Sequence, residues 1–278
     1  MDGFVTTPHE TAPAEIAAPF RAPDRPARRR GGGLALRAAS FAGFFALWWL
    51  AAWHAADPRL LPDPATVARV AWRETLHGAL IANFAITIAR VLAAFAVSML
   101  VGVALGVLAG RRAAADALID PVLTILLNLP LLVVILVCFI WIGQSEAGLV
   151  VAVALAKIPT VAVTVREGAR ALDTSLADVA AVFAVPRWRR LRCFVLPQLA
   201  PYIAAAGRSG LSITWKIVLV AEVFGPSSGI GYALNLAFQN WDVAAVMAYG
   251  LLFSGLMLAV EALALRPAER AARAWRCS

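Results

Sequence analysis

Long apolar runs, separated by short arginine-rich connections, set the pattern of this chain. Six stretches, at 34–56, 82–110, 117–142, 147–165, 194–224 and 243–265, are each close to or above the ~18 apolar residues a helix needs to cross hydrocarbon. They predict an all-α polytopic membrane protein with six transmembrane helices. Gly143-Gln144-Ser145-Glu146 is the only polar break between the third and fourth spans, so a tight turn is expected there. Ahead of the first span, residues 1–33 carry Pro8, Pro13, Pro19, Pro23 and Pro26, then Arg28-Arg29-Arg30 and three glycines. Such a composition cannot bury enough apolar surface to offset the entropy of ordering, which predicts a disordered tail. The run at 34–56 is too long for a signal-peptide core and no A-x-A site follows it, so it is expected to stay attached as the first span.

The distribution of charge predicts the orientation. Of the 25 Lys and Arg, only Arg59, Arg69 and Arg73 fall in connections on one side, and Arg90, Lys157, Arg208 and Lys216 fall within spans. All the others lie in the 1–33 tail, at Arg37, at Arg111-Arg112, between Arg166 and Arg192, or from Arg266 onward. By the positive-inside rule these segments are cytoplasmic, and both termini lie on the cytoplasmic side. The expected organisation is a cytoplasmic tail (1–33), a transmembrane domain (34–266) with a cytoplasmic loop at 166–197, and a short C-terminal tail (267–278).

Composition agrees with the hydrophobic pattern. The chain has 278 residues, 61% of them hydrophobic, against roughly 45–50% in soluble domains. A net charge of +8 is explained by the membrane better than by nucleic acid, because the arginines are not spread over a soluble face. Cys138, Cys193 and Cys277 form no paired spacing, and His9, His54 and His77 are scattered, so neither a disulfide framework nor a metal site is expected.

One polar island stands out, the segment DVAAVFAVPRWRRLRCFVLP at 178–197. Asp173, Thr174, Ser175 and Asp178 offer helix caps, and Val179, Val182 and Phe183 follow at i, i+3 and i+4 as an apolar ridge. Pro186 breaks that helix, Arg187, Trp188, Arg189, Arg190 and Arg192 start a second, and Pro197 marks the return to the membrane. The spacing predicts a helix–turn–helix with an acid at its head and a basic flank, suited to docking a soluble partner.

This island resembles the EAA loop of ABC importer permeases, whose pattern is Glu-Ala-Ala, three residues, Gly, nine residues, Ile, one residue, Leu-Pro. Asp178 stands at the Glu, Val179 and Ala180 at the two alanines, Ala184 at the Gly, Phe194 at the Ile, and Leu196-Pro197 at the end. With Ala184 replacing Gly, Pro186 is expected to supply the bend. The resemblance extends over roughly 58–265 and narrows to permeases of the nitrate, sulfonate and taurine type. It is carried by Leu60-Leu61-Pro62-Asp63-Pro64, Thr87-Ile88-Ala89-Arg90-Val91, and Gly102, Gly106 and Gly110. Asp120-Pro121, Asn128-Leu129-Pro130, Trp141-Ile142-Gly143, Ala221-Glu222-Val223 and Gly229-Ile230-Gly231-Tyr232 continue it in order. The resemblance implies a type I ABC importer transmembrane-domain fold and a permease homodimer. It also implies two ATP-binding subunits that hold ATP and magnesium, and a periplasmic or lipid-anchored solute-binding protein. No cofactor is expected in this chain, since Lys157 and Lys216 follow Ala156 and Trp215 rather than the glycine of a phosphate-binding loop. Asp178, Val179, Ala180, Val182, Phe183, Ala184, Pro186, Arg187, Leu196 and Pro197 would couple it to the ATPase.

Charges inside spans cost about 2.5–3.5 kcal/mol each on insertion scales, which makes them candidates for function. Arg208 and Lys216 suit a path for an anion such as a sulfonate, taurine or nitrate, and Asn128, Pro130 and Glu222 join them as candidate path residues. Arg90 and Lys157 are read as pairing internally or snorkelling to an interface. Gly102, Gly106 and Gly110 form a small-xxx-small face for close helix packing, inside the subunit or across a dimer. Trp48, Trp49 and Trp53 read as an interfacial belt. The alternatives are a permease for a vitamin precursor and an ATPase-independent secondary transporter. An intramembrane enzyme is disfavoured, because Ser209, Ser212 and Ser254 have no His or Asp at comparable depth.

Overall fold

A computed structural model describes residues 30–172, 182, 183 and 185–260. Two compact units divide the chain, 1–46 and 47–278. What is described of the first is the opening of helix α1 (Arg30–Ala55). The expected tail at 1–33 therefore lies outside the described residues as far as Arg29, and 30–33 are already helical. The C-terminal tail at 267–278 lies outside them too.

In the second unit, α2 (Pro64–Leu76) fills the connection between the first two expected spans. Its start is explained locally. Asp63 is the N-cap, accepting the Thr66 amide at 2.9 Å and the Thr66 hydroxyl at 2.7 Å, and Pro64 occupies the first helical position, where no N–H is needed. Those bonds, the hydroxyl foremost, hold the Asp63 carboxyl below the ordinary carboxylate range.

The long helices follow the apolar runs: α3 (Leu80–Arg111), α6 (Glu146–Arg170), α8 (Leu196–Phe224) and α10 (Val243–Val260). Between α6 and α8 come the single turn α7 (Arg187–Arg190) and a π turn (Leu191–Val195), and α9 (Ile230–Gln239) precedes α10. The first residues of the expected loop at 166–197 continue α6, which stays helical to Arg170.

The third expected span is not one helix. It is α4 (Ala113–Asn128) and α5 (Leu131–Ile142), bent by 104°. Leu129 is extended, at φ −70 and ψ 132, as the residue before a proline prefers, and Pro130 has no N–H to continue the ladder. Among the described residues, four helices are long and apolar enough to cross a membrane singly, and the bent pair makes up to five. The first of the six expected spans corresponds to α1, a single 26-residue helix.

Close approach of α3 and α6 organises the core. A Cβ at Gly106 would stand 2.6 Å from the Ala162 carbonyl oxygen and 2.8 Å from Val165 Cβ, so the helices touch backbone to backbone there. The glycine face thus packs inside the subunit. Trp215 of α8 stacks on Phe84 of α3 and meets Phe253 of α10 edge-on, centring the largest apolar cluster. Tyr249 of α10 donates to Glu74 of α2 at 2.8 Å and ties the amphipathic α2 to this bundle.

Candidate functional site: a buried ionic network and an exposed cationic stripe

Arg90 is 3% exposed within α3, and all five of its guanidinium N–H groups are used. Nε donates to Glu146 Oε2 at 2.7 Å, and Nη2 donates to Glu146 Oε1 and, at 2.7 Å, to Ser228 Oγ. Nη1 donates to Glu222 Oε1 at 2.8 Å and to the Ser228 carbonyl at 2.7 Å. Glu222, wholly buried in α8, also accepts the Gly231 amide at 2.9 Å and faces the Thr87 hydroxyl at 2.9 and 3.0 Å. Thr87 in turn accepts the Ile230 amide at 3.0 Å. A single charge network therefore clamps α3, the start of α6, the end of α8 and the start of α9.

Gly229 makes the fit possible. Its φ of +98 is a left-handed conformation, and a Cβ there would lie 2.4 Å from Glu222 Oε1. The end of α8 is closed by side chains: Gln144 donates to the Phe224 carbonyl and Asn235 to the Val223 carbonyl, both at 3.0 Å. Glu222, expected among the path residues, is 0% exposed and has the charged and polar partners that such burial demands.

Arg208 and Lys216 do lie together. With Ser212 between them they stand at i, i+4 and i+8 along one face of α8, and Ser209 flanks the row; all four are exposed. Asn128 and Pro130 are exposed at the α4–α5 bend, where Asn128 donates to the Thr124 carbonyl at 2.8 Å.

At the other end of α6 from Glu146, a second ionic cluster joins α4 to α6. Arg166 pairs with Asp116 at 3.2 Å and with Asp120, and Arg170 with Asp116 at 2.5 Å. Further along the chain Val182, Phe183 and Trp188 are strongly exposed, by 82%, 75% and 71%. Pro186, Leu196 and Pro197 are exposed as well. Asp178, Val179, Ala180 and Ala184 lie outside the described residues, as does the side chain of Arg187. Among the described residues, no group of three His, Cys, Asp or Glu side chains is placed to hold a metal ion.

Residues 102–270, more than half of the chain, match the family of binding-protein-dependent transport system inner membrane components. The chain belongs to this family. It is a multi-pass inner-membrane permease subunit of an ABC importer, a transport component rather than a catalytic one. The permease is 31% identical over 217 residues to the putative aliphatic sulfonates transport permease protein SsuC of Escherichia coli (strain K12), covering 76% of this chain and 82% of that one. It is 24% identical over 136 residues to the taurine transport system permease protein TauC of the same organism, about half of each chain. Its fold is shared with the MetNI methionine ABC transporter in inward-facing conformations: a TM-score of 0.56 at 15% identity, over 68% of this chain and 92% of that one. That is the type I ABC importer transmembrane-domain fold.

Reading the permease's sequence alone missed the partners of Arg90. Glu146 was seen only as a turn residue, and Ser228 was not singled out. The signal available was the repeated occurrence of Thr87, Arg90, Glu222 and the Gly229–Gly231 pair inside separate motifs, which the fold brings to one place.

Proposed function

We propose that this permease carries a small anion, organic or inorganic, such as a sulfonate, taurine or nitrate. It works as a homodimer, driven by two ATP-binding subunits and supplied by a periplasmic or lipid-anchored binding protein. The observation that carries this reading is the α8 stripe. Arg208, Ser212 and Lys216 face out of their own subunit in mid-span, where contact with lipid would cost about 2.5–3.5 kcal/mol per cation. A water-filled path between two copies removes that cost and places cations where an anion must pass. The printed names of the aliphatic sulfonates and taurine relatives support the same cargo class.

Coupling runs through the segment at 178–197. The exposed Val182, Phe183 and Trp188 offer an apolar ridge to an ATP-binding subunit, with Asp178, Val179, Ala180, Ala184, Pro186, Arg187, Leu196 and Pro197 completing the docking element. Its root is the end of α6, and the Arg166 and Arg170 ion pairs link that end to α4. Closure of the ATP-binding subunits is thereby passed to the bent α4–α5 pair, where Asn128 and Pro130 lie. The loop and both termini face the cytoplasm, following the distribution of arginine.

The test is a mild-detergent purification of the tagged permease with mass spectrometry, followed by ATP-dependent uptake of ethanesulfonate in proteoliposomes. A co-purifying ATP-binding subunit and anion uptake are expected. A preparation that reproducibly lacks any ATPase, even after crosslinking at 178–197, refutes the coupling. Uptake without ATP points to a secondary transporter.

A further inference from the structure

Six Ser, Thr, Lys, Arg and Glu side chains are buried among the described residues, and five are accounted for. Thr87, Arg90 and Glu222 share the clamp; Ser98 donates to the Phe95 carbonyl at 2.9 Å and Thr214 to the Gly210 carbonyl at 2.8 Å. Lys157 is the sixth. It is 2% exposed, and no hydrogen bond or ion pair from the described residues reaches its ammonium group.

Its depth removes the ordinary escape. Lys157 lies between Glu146 and Arg170, the two ends of α6, about 16 and 20 Å from them at 1.5 Å per residue. A lysine side chain reaches roughly 6 Å, so it cannot snorkel to either interface. Its stem runs instead across α8 at Gly210, where a Cβ would stand 3.3 Å from Lys157 Cε and 3.4 Å from Phe95 Cε2. The end of the stem, Cε, thus sits at the junction of α3, α6 and α8, against the helix that carries Arg208 and Lys216 on its exposed face.

We propose that Lys157 is an anion-binding residue, the anchor of an occluded station for the transported anion at this junction. The inference rests on the reading of the cargo as an anion. An ammonium offers three N–H donors, and a sulfonate offers three oxygens and the counter-charge that the folded subunit withholds from Lys157. The stripe on α8 draws the anion along the outer face of the helix; the station lies on the face of α8 that carries Gly207 and Gly210, which put no side chain between the helix backbone and Lys157 or Phe95.

The experiment uses the whole importer, permease with its ATP-binding subunits and binding protein, in proteoliposomes with labelled ethanesulfonate. Lys157→Met should lower kcat/KM roughly ten- to hundredfold, the range of one charge-assisted hydrogen bond, with Lys157→Arg retaining most of it. In the permease–ATPase complex without binding protein, ethanesulfonate should raise the melting temperature of the wild type and not of Lys157→Met. An unchanged kcat/KM in Lys157→Met overturns the inference and leaves the anion reading standing. A wild-type importer that moves none of ethanesulfonate, taurine and nitrate overturns both. Should Lys157→Met fail to assemble, Lys157→Cys in a chain with Cys138, Cys193 and Cys277 replaced reads the same place. Ethanesulfonate should slow its modification by a methanethiosulfonate reagent during turnover, and modification indifferent to the anion overturns the proposal.

Discussion

Replacing Glu222 with leucine removes one carboxylate and takes an acceptor from three donors, of which the Thr87 hydroxyl keeps the Asn83 carbonyl at 3.0 Å. Arg90 Nη1 loses a partner at 2.8 Å, the Gly231 amide one at 2.9 Å, and the Thr87 hydroxyl its two contacts. Glu222 is 0% exposed, so water cannot take the carboxylate's place. Breaking a buried ion pair by removing one partner costs about 3–5 kcal/mol, and the amide and hydroxyl lie in the same network, so the loss belongs in that range rather than above it. Glu146, whose side chain is 63% exposed, is different: water replaces most of what Glu146→Gln gives up, and the cost should stay near or below 1 kcal/mol. Thermal unfolding of the detergent-solubilised permease, followed by tryptophan fluorescence, should show Glu222→Leu melting on the order of 10 °C below wild type. Glu146→Gln should be nearly unmoved. Arg90→Met combined with Glu222→Leu should recover part of the loss, since the Arg90 Nη1 donor that lost its carboxylate is then gone from the core. A Glu222→Leu protein that melts within about 2 °C of wild type, or a Glu146→Gln protein damaged as badly, refutes the clamp.

Three further outcomes follow from the same geometry. Gly106→Val puts a branched side chain where a Cβ already meets the Ala162 carbonyl at 2.6 Å; overpacking of about 1–3 kcal/mol or more should appear as a lower melting temperature and reduced membrane yield, which a tolerant dimer surface would not show. Lys216→Glu, exposed on α8, should cut ethanesulfonate uptake at least roughly tenfold while the complex purifies intact, the equivalent of about 1.4 kcal/mol; unchanged uptake removes the stripe from the path. Asp178→Lys should abolish stimulation of the partner's ATPase with membrane insertion intact, and normal uptake in that variant removes the coupling role of the 178–197 segment.

Much of the fold was legible because hydrocarbon imposes a one-dimensional rule. A span must be a run of apolar residues long enough to cross, and such runs are visible whatever they pack against. The helices α3, α6, α8 and α10 follow directly, and the small-residue face at Gly102, Gly106 and Gly110 announced close packing without naming its partner. The 104° bend was half legible: Pro130 signals a break, but a proline in a span can kink a helix slightly or end it, and only the neighbours decide. The cap at Asp63-Pro64 stood in the sequence, yet α2 went unpredicted because its apolar residues are too few to read as a span.

Sequence by itself determined that this chain crosses a membrane, that its arginines crowd one set of connections, and that its motifs run in the order of an importer permease. Each is a property of residues adjacent in the chain, where composition and short spacing carry the physics. Tertiary structure decided how the charges inside the spans are used. Arg90 and Lys157 look alike in sequence, one cation in an apolar run. Folding brings Glu146, Glu222 and Ser228 onto Arg90 from 56, 132 and 138 residues away, and brings no counter-charge from the described residues to Lys157. Glu222 went to the clamp and Arg208 and Lys216 to the open face of α8 for the same reason. The cost of a charge in a membrane depends on what surrounds it in three dimensions, and that is settled by helices meeting, not by the order of residues along one of them.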